Sequence, residues 1–454
     1  MATSFDPAST AASLATAYTQ AAQAQLTAQT QRAQAQSTGL TKLQSALRAF
    51  DSAVATLSGK KTMVQHVATF ADTSVGTATT SASAQPGSYP LFVEQVAAAH
   101  QVAFTDLPAV PVPVTGTLTI AQGGVAAFNV NFATADLDND GTLSQAEMAR
   151  AINSAADNDG KVTASVLTVG GSTQLVLSST TTGESSEITV DASTLSDAAL
   201  KAKFGAPNTL VAAKDAIVWL GAKDTGVKLQ QASNTFTAID GVSMTFTHAM
   251  AVGAPPTTLT VAGDSAGTAS NVQNFVDAYN ALNSTLDTLT NAGTSGGAAP
   301  GTFASDASVR ALRTRLNDML RQQVGGVRLA DFGVTADRDG KLSLDKTKLQ
   351  TQLDATPDSL DTLFGSASVT ASSGLLGAVD KYLDAWLNSV NGKIVSRQAS
   401  VQSVQKSAAE RQTRLDKQYD SAYQRYLKQF TVLQNLQAQM AETSGMFDAL
   451  SVNN

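Results

Sequence analysis

The sequence predicts an α+β multidomain protein, in which N- and C-terminal helices pair as a coiled-coil stem or leg. One or two β-rich modules are inserted between these helices as a head. Three observations lead to this prediction. Both ends of the chain carry apolar residues at heptad spacing. The middle consists of short apolar runs separated by Gly, Pro and Ser, which is typical of strands and turns. The 454 residues correspond to about three domains of ~150 residues.

The N-terminal leg, residues 1–62, begins with few large apolar residues. Residues 8–37 are rich in Ala, Gln and Thr, and such small side chains bury little area. We therefore expect residues 8–37 to be disordered or frayed until a partner binds. From residue 40 the large apolar residues recur at spacings of 3, 4, 3, 4 and 3, which is a heptad seam. An ordinary amphipathic helix of a bundle is the alternative. The seam residues are Leu40, Leu43, Leu47, Phe50, Val54 and Leu57.

The C-terminal segment, residues 375–454, contains a helix that matches this seam. No proline occurs between Leu375 and Ala449, and Gly392 permits a break between two helices. After the break, apolar residues again recur at steps of three or four, so we expect the termini to pair as an antiparallel coiled coil. A coil of ~50 residues would be ~75 Å long. The predicted assembly residues are Leu415, Tyr419, Ala422, Tyr426, Phe430, Leu433, Leu436 and Met440.

Between the termini, the composition favours strands more than helices. Residues 63–108 are predicted as the strand-rich start of the stem domain, and residues 266–374 as its return through helices and a hairpin. Residues 109–265 are predicted as a β-rich head, with two modules favoured over one. The Pro-rich run 107–114 is expected to be an extended linker. The organisation is then nested, because the two ends close onto one stem around the head.

One local motif points to metal chemistry. Residues 136–147 fit the EF-hand loop pattern D-x-[DN]-x-[DN]-G-x5-E without a mismatch. Hard oxygen ligands at this spacing can surround Ca²⁺ because alternate side chains point inward. A helix is expected after the loop and a strand before it, so we predict a structural Ca²⁺ site made of a loop and one helix. The alternative is an acidic loop that caps this helix. The candidate ligands are Asp136, Asp138, Asp140, Thr142 and Glu147.

Composition excludes several functional classes. There is no Cys for a disulfide, a thiolate metal site or a nucleophile, and the 3 His lie in separate segments. No nucleophile elbow, phosphate-binding loop or zinc-protease motif occurs, so we predict a protein that is not an enzyme and requires no cofactor. The net charge of −7 argues against nucleic-acid binding. No apolar run approaches the ~20 residues of a membrane-spanning helix. The first 36 residues lack the features of a secretory signal.

Four stretches, in a fixed order around the inserted head, carry a resemblance to a known family. They are residues 86–97 (PGSYPLFVEQVA), 275–282 (FVDAYNAL), 332–345 closing with 363–365 (LFG), and 425–440 in the terminal coil. Together they resemble the bacterial flagellar filament-capping proteins, the FliD or hook-associated protein 2 family. The resemblance covers nearly the whole chain, and the Leu40–Leu57 seam matches the N-terminal coil of that family. The first residues depart from the family in being rich in Ala, Gln and Thr.

This resemblance implies structural work at the flagellar tip. Proteins of this kind form a ring-like homo-oligomeric cap that retains exported flagellin and promotes its folding and insertion, with hook-associated junction proteins as further partners. Export through the flagellar type III apparatus implies an extracellular location, and a chain unfolded in transit gains from having no thiols. A cytosolic export chaperone is expected on the seam from Leu415 to Leu450. The alternatives are a secreted tip adhesin that contacts host surface or mucin, and a hook–filament junction protein.

Overall fold

The computed structural model describes residues 6–294, 297, 299–367 and 372–451. The chain divides into two compact units: unit 1 joins Met1–Val64 to Ser265–Asn454, and unit 2 is Gln65–Asp264. Unit 1 is mostly helical and contains both termini, whereas unit 2 is mostly strand. The predicted α+β class, with terminal helices around a β-rich middle, is therefore confirmed. Within the described residues, no helix is both long and apolar enough to cross a membrane.

The elements follow one another in chain order. Unit 1 begins with α1 (Pro7–Gly59). Unit 2 contains β1 (Gln65–Phe70), β2 (Gly76–Thr80), β3 (Gly87–Gln95), β4 (Gln101–Thr105), β5 (Val110–Pro111), β6 (Thr117–Gln122), β7 (Val125–Asn131), β8 (Thr142–Leu143), α2 (Gln145–Asn153), β9 (Val162–Val169), β10 (Ser172–Ser179), β11 (Ile188–Asp191), α3 (Ala198–Phe204), β12 (Asn208–Val211), β13 (Ala216–Leu220), β14 (Val227–Gln231), β15 (Thr235–Ile239), β16 (Val242–Phe246) and β17 (Thr257–Asp264). Unit 1 resumes with α4 (Ser265–Thr290), α5 (Ala307–Arg321), β18 (Val334–Ala336), β19 (Leu342–Leu344), α6 (Lys346–Ala355), α7 (Ser359–Phe364), α8 (Gly374–Leu387) and α9 (Lys393–Ser451). Short 3₁₀ turns occur at Glu184–Ser186 and Leu329–Phe332.

Helix α1 is continuous over 53 residues, which differs from the disorder expected for residues 8–37. Asp6 caps its start by accepting hydrogen bonds from the backbone N–H groups of Ala8 and Ser9, both at 3.1 Å, and Pro7 suits the first helical position. An Ala-rich helix is marginal alone. Here α9 of the same chain is the partner, and it packs along α1. The expectation was wrong because the partner is already in the chain.

The core of unit 1 forms where α1 meets the helices that follow unit 2. The predicted seam residues from Leu40 to Leu57 are all buried in this core. The Phe50 ring lies 6.0 Å from Phe275 and 6.1 Å from Tyr279, and Phe275 lies 5.3 Å from Phe364. This half of the seam therefore packs in a bundle core, which is the alternative considered for it. Gly39 matters here, because a Cβ at that position would lie 3.0 Å from the Phe303 ring.

Unit 2 contains two separate hydrophobic cores. The first lies between a five-stranded sheet, in the order β1-β17-β3-β13-β14, and a three-stranded sheet, β15-β16-β2. The second lies among a four-stranded sheet, β12-β4-β10-β9, a three-stranded sheet, β11-β6-β7, and helices α2 and α3. All pairings between the strands of these sheets are antiparallel. Two modules therefore make up this unit.

Two predicted boundaries need correction. Residues 65–105 were assigned to the stem, but they lie in unit 2 because β3 pairs with β13 and β17, and β4 pairs with β10 and β12. These partners are more than 60 residues away in sequence, so local patterns do not reveal them. The run 107–114 was expected to be an extended linker. Instead Leu107, Val110 and Val114 are buried in the second core, so this run is part of the module.

Candidate functional site: the paired terminal helices and the acidic loop

The first candidate site is the antiparallel pair formed by α1 and α9. Beyond the bundle core, its apolar contact is thin: Leu26 packs with Ala408 and Leu415 in a small buried cluster. Ala11, Ala15 and the Thr19 side chain are also buried along α1. Small residues let two helix backbones approach closely but bury little area each. This part of the pair therefore depends on shape and on polar contacts more than on large apolar side chains.

Glutamine pairs supply those polar contacts. The amides of Gln23 and Gln412 exchange two hydrogen bonds, at 3.1 and 2.9 Å. Arg411 donates to the Gln29 side-chain oxygen at 3.1 Å. In these contacts, a higher residue number in α1 goes with a lower residue number in α9. The two helices are therefore antiparallel, and the contacts define their register. Gln richness was visible in the sequence but was not interpreted as pairing. Two further pairs are Gln34–Gln405 at 3.4 Å and Gln44–Gln398 at 3.1 Å.

Helix α9 continues past the point where α1 begins. The guanidinium of Arg425 stacks on the ring of Tyr18 at 6.0 Å, and α1 starts only 11 residues before Tyr18. Every residue from 431 to 447 is exposed. We call residues 431–451 the α9 overhang; at 1.5 Å per residue it is ~30 Å long. Its exposed apolar residues are Val432, Leu433, Leu436, Met440, Met446 and Phe447, with exposed fractions between 42% and 68%.

The predicted C-terminal seam is therefore only partly paired within the chain. Leu415 and Ala422 are buried, and Tyr419, Tyr426 and Phe430 are half-buried. Leu433, Leu436 and Met440, which were predicted to pair with the N-terminal helix, are exposed by 42%, 52% and 64%. The apolar stripe nevertheless continues through Leu433, Leu436, Met440 and Phe447 at helical spacing. The Leu450 side chain lies outside the described residues.

The second candidate site is the acidic loop before α2. Ser144 caps α2 by accepting a hydrogen bond from the Glu147 N–H, and the Glu147 carboxylate accepts from the Ser144 N–H at 2.9 Å. The N–H of Leu137 also donates to this carboxylate at 2.9 Å. The backbone bond from Ser144, followed by that from Leu137, lowers the pKa of Glu147 to about 2. Glu147 is therefore a buried carboxylate that ties the loop to the helix start.

The loop brings three of its five predicted ligands together. Carboxylate oxygens of Asp136, Asp138 and Glu147 lie within 4.8 Å of one another. Asp136 accepts from the N–H groups of Asn139 at 2.7 Å and Gly141 at 3.1 Å. The other two ligands interact with each other, since Asp140 accepts from the Thr142 N–H and hydroxyl at 2.7 and 2.8 Å. The loop thus combines the predicted cap with three convergent carboxylates, and Ca²⁺ binding stays a prediction.

Comparisons with known proteins decide the family. Models for the N-terminus and the C-terminus of flagellar hook-associated protein 2 match residues 3–100 and 213–442, which together are more than half of the chain. This chain belongs to the flagellar hook-associated protein 2 family. The α1–α9 pair lies almost wholly within the matched residues, whereas the acidic loop lies in the segment between the two matches.

Two hook-associated protein 2 relatives match this chain over most of their length. The chain is 37% identical over 377 residues to the lateral flagellar hook-associated protein 2 of Vibrio parahaemolyticus, covering 82% of this chain and 83% of that protein. It is 29% identical over 424 residues to the B-type protein of Pseudomonas aeruginosa, covering 89% and 86%. The crystal structure of the flagellar cap protein FliD D1-D2-D3 domains from Escherichia coli matches with a TM-score of 0.63 and 26% identity. The match covers 80% of this chain and 99% of the Escherichia coli chain.

Membership of the hook-associated protein 2 family answers the broad question of function. This is a family of structural flagellar cap proteins and not of enzymes, so the prediction that the chain is not an enzyme is confirmed. Its cap proteins oligomerize at the flagellar filament and are extracellular. The matches do not favour the tip adhesin or the hook–filament junction protein that the sequence left as alternatives.

Proposed function

We propose that this chain caps the distal end of the flagellar filament, where it retains exported flagellin and promotes its folding and insertion. The α9 overhang is the observation that carries this proposal. Its apolar side chains, from Val432 to Phe447, are exposed by 42% to 68%. Residues 431–447 contain a single ionisable side chain, that of Glu442. A long, nearly uncharged stripe of this kind is suited to dock against another helix.

The overhang supplies a seam at helical spacing to whichever helix lies beside it. Leu433, Leu436 and Met440 continue the line of residues that α1 covers further back. A helix presented by the filament end can pack along this stripe in the same way that α1 packs along the earlier part of α9. Contact with the filament would hold the cap in place while incoming flagellin folds in the space that it encloses.

The same stripe needs protection before export. An exposed apolar helix face associates non-specifically when it has no partner. We propose that a cytosolic export chaperone covers the α9 overhang and that the filament end replaces the chaperone after type III export to the flagellar tip. Copies of the chain then assemble as a ring-like cap, after the hook-associated junction proteins are in place.

Complementation of cells that lack this gene tests the proposal. The variant Leu433→Asp/Leu436→Asp places two charges on the stripe, so we expect flagellin to appear as soluble monomer in the medium, with hooks but few filaments. The unmodified gene should restore filaments. Immunoblotting of the medium must show that the variant itself is exported, because retention in the cytosol would indicate a chaperone or export defect.

A matched control separates the stripe from charge as such. Asn435→Asp/Ala438→Asp adds two charges on the opposite side of the overhang, and filaments are expected to form normally. Normal filaments in cells without the gene would overturn the capping function. Normal filaments with the stripe variant would overturn the role of the overhang and leave capping itself intact.

A further inference from the structure

Strand β9 is an edge strand that lacks the usual protection against pairing. It is the last strand in the order β12-β4-β10-β9, and its eight residues, VTASVLTV, include no charged residue and no proline. Its register with β10 is unbroken from Val162 to Val169. Natural edge strands are usually protected by charge, proline, a bulge or short length. Four other edge strands of unit 2 have such features: Lys228 in β14, Asp191 in β11, and register breaks in β15 and β7.

Half of the β9 edge is already occupied by asparagine side chains. The Asn158 amide accepts from the Val162 N–H and donates to the Val162 carbonyl, both at 2.9 Å. The Asn153 amide likewise accepts from the Ala164 N–H and donates to the Ala164 carbonyl, both at 2.8 Å. These bonds show that Val162 and Ala164 direct their backbone groups away from β10. In an antiparallel ladder every second residue does so, hence Val166 and Thr168 also face outward.

The outer half of β9 is left open. The backbone N–H and C=O groups of Val166 and Thr168 form no hydrogen bond with any residue in the described part of the chain. The side chains around them are apolar and exposed: Val166 by 38%, Leu167 by 49% and Val169 by 56%. Gly170 and Gly171, in the turn after β9, both have positive φ, at 60° and 89°, as a two-residue hairpin turn of type I′ requires. This short edge is therefore preformed for strand addition.

The opposite edge of the same sheet is also exposed. All four residues of β12 are exposed. The exposed fractions of Leu210 and Val211 are 46% and 38%. A register break between Thr209 and Val211 limits the length over which β12 can pair. The open half of β9 is equally short. The two edges thus match in length and in apolar character.

Strand direction and charge favour pairing of β9 with β12 of a second copy. Each neighbouring pair in the sheet is antiparallel, so β9 and β12 run in opposite directions and a following copy continues the alternation. Antiparallel pairing then brings Lys214, which follows β12, towards the Asp157 and Asp159 end of β9 on the next copy. Lys214, Asp157 and Asp159 are all exposed. Asp159 already has one cation nearby, since the Lys161 Nζ lies 3.6 Å from its carboxylate.

We infer that the open half of β9, residues 165–169, pairs with β12 of a second copy and so joins copies of this chain head to tail. A heterologous contact of this kind closes into a ring when the rotation permits, whereas pairing of β9 with β9 would stop at a dimer. The inference rests on the proposed capping function, since it identifies the surface through which the cap assembles. Backbone hydrogen bonds supply the affinity, and the exposed Val and Leu side chains supply the fit.

Sedimentation velocity of the full chain tests the edge. In Thr168→Pro the outward N–H is removed while the ladder with β10 keeps its bonds, because Pro is tolerated at an outward edge position. We expect this variant, and Leu210→Lys on β12, to sediment as monomer at concentrations where the unmodified chain forms oligomers. Val227→Lys, at an exposed position of the β14 edge, is the matched control and should assemble normally. Melting curves that overlay show that the variants fold.

Mixing the two edge variants distinguishes the partners. Thr168→Pro keeps its β12 edge and Leu210→Lys keeps its β9 edge, so an equimolar mixture should form a dimer that cannot extend. Normal oligomers from either variant alone would overturn the inference. If Leu210→Lys still forms oligomers and adding Thr168→Pro to the same chain abolishes them, β9 pairs with itself, and the inference is also overturned. A monomeric unmodified chain would also overturn it. These results are independent of the filament assay, which alone decides the capping function.

Discussion

The terminal helix pair and unit 2 differ in how much apolar surface they bury. Away from the bundle core, the α1–α9 pair has only the Leu26 cluster and small side chains between its helices. The second core of unit 2, by contrast, encloses Phe104, Phe132 and Phe204, each of which is at most 1% exposed. Burial at about 25 cal/mol per Å² favours unit 2 strongly. The difference shows that the helix pair is suited to exchange partners, whereas the β-rich unit is suited to keep its shape.

The two regions also differ in charge. Unit 2 has 7 Lys and Arg against 17 Asp and Glu, a net charge of −10, while the remainder has 23 against 20, a net charge of +3. The pKa values of Glu147 in unit 2 and Asp51 in unit 1 shift in opposite directions, whereas the pKa of Asp306 in unit 1 is lowered like that of Glu147. Backbone hydrogen bonds lower the pKa of Glu147 in unit 2. Burial, followed by repulsion from Asp380 and Asp384, raises the pKa of Asp51 in unit 1. Acid should therefore affect the two regions differently.

The largest expected effect comes from opening the second core. Phe104 is fully buried and its ring lies 5.1 Å from that of Phe204. Phe104→Ala should destabilise unit 2 by about 3–5 kcal/mol, because a cavity replaces the ring. Calorimetry of the full chain should show the unit 2 transition at lower temperature and the unit 1 transition unchanged. Phe447→Ala, on the exposed overhang, is the control and should change the free energy of unfolding by less than about 0.5 kcal/mol. Equal effects of the two would contradict the comparison.

Calcium should stabilise only unit 2. If Asp136, Asp138 and Glu147 hold the ion, Ca²⁺ at 100 times its dissociation constant adds about 2.7 kcal/mol to the stability of the folded unit. The melting temperature of unit 2 should rise in Ca²⁺ and fall again with a chelator. Asp136→Asn/Asp138→Asn should abolish the rise. Asp337→Asn/Asp339→Asn, in the β18–β19 turn, is the matched control and should retain it. No effect of Ca²⁺ on the unmodified chain would remove the metal prediction.

Acid should weaken unit 2 through Glu147. Its pKa is lowered from 4.5 to about 2, so its stabilising contribution is complete above pH 4.5 and is lost as the pH falls towards 2. In chelator, the melting temperature of unit 2 should fall across this range, and Glu147→Gln should show a smaller fall. Glu187→Gln serves as a control on the same unit. A pH dependence that Glu147→Gln leaves unchanged would show that another group is responsible.

The smallest effect is expected at Asp51, and its sign is opposite. Because its pKa is raised, the folded state favours the protonated carboxyl, and stability is lost as the pH rises through the raised pKa. Asp51→Asn should therefore raise the melting temperature of unit 1 slightly at pH 7 and leave it unchanged at pH 3. Asp318→Asn, at an exposed position of α5, should have no such effect. A lower melting temperature at pH 7 would mean that Asp51 makes a favourable contact instead.

Local signals in the sequence found the helices and the acidic loop but not their partners. Leu40 to Leu57 lie on one face at heptad spacing, so their burial could be predicted without a structure. The loop from Asp136 to Glu147 was equally clear, since each ligand position is set by its neighbours. The strands β3 and β4 were assigned to the wrong region because their partners are distant in sequence. The open half of β9 was also not evident, since it depends on where Asn153 and Asn158 are placed.

By itself the sequence determined the α+β class, the helical termini, the acidic loop and the resemblance to the capping family, because each depends on periodicity or on a short motif. Only the tertiary structure decided that α1 is ordered along its length, since its order depends on α9, more than 300 residues away. The structure also decided that Leu433, Leu436, Met440 and Phe447 stay exposed on α9. The alignment of two segments that are distant in sequence determines which apolar residues become buried. The residues left exposed are those available to other molecules.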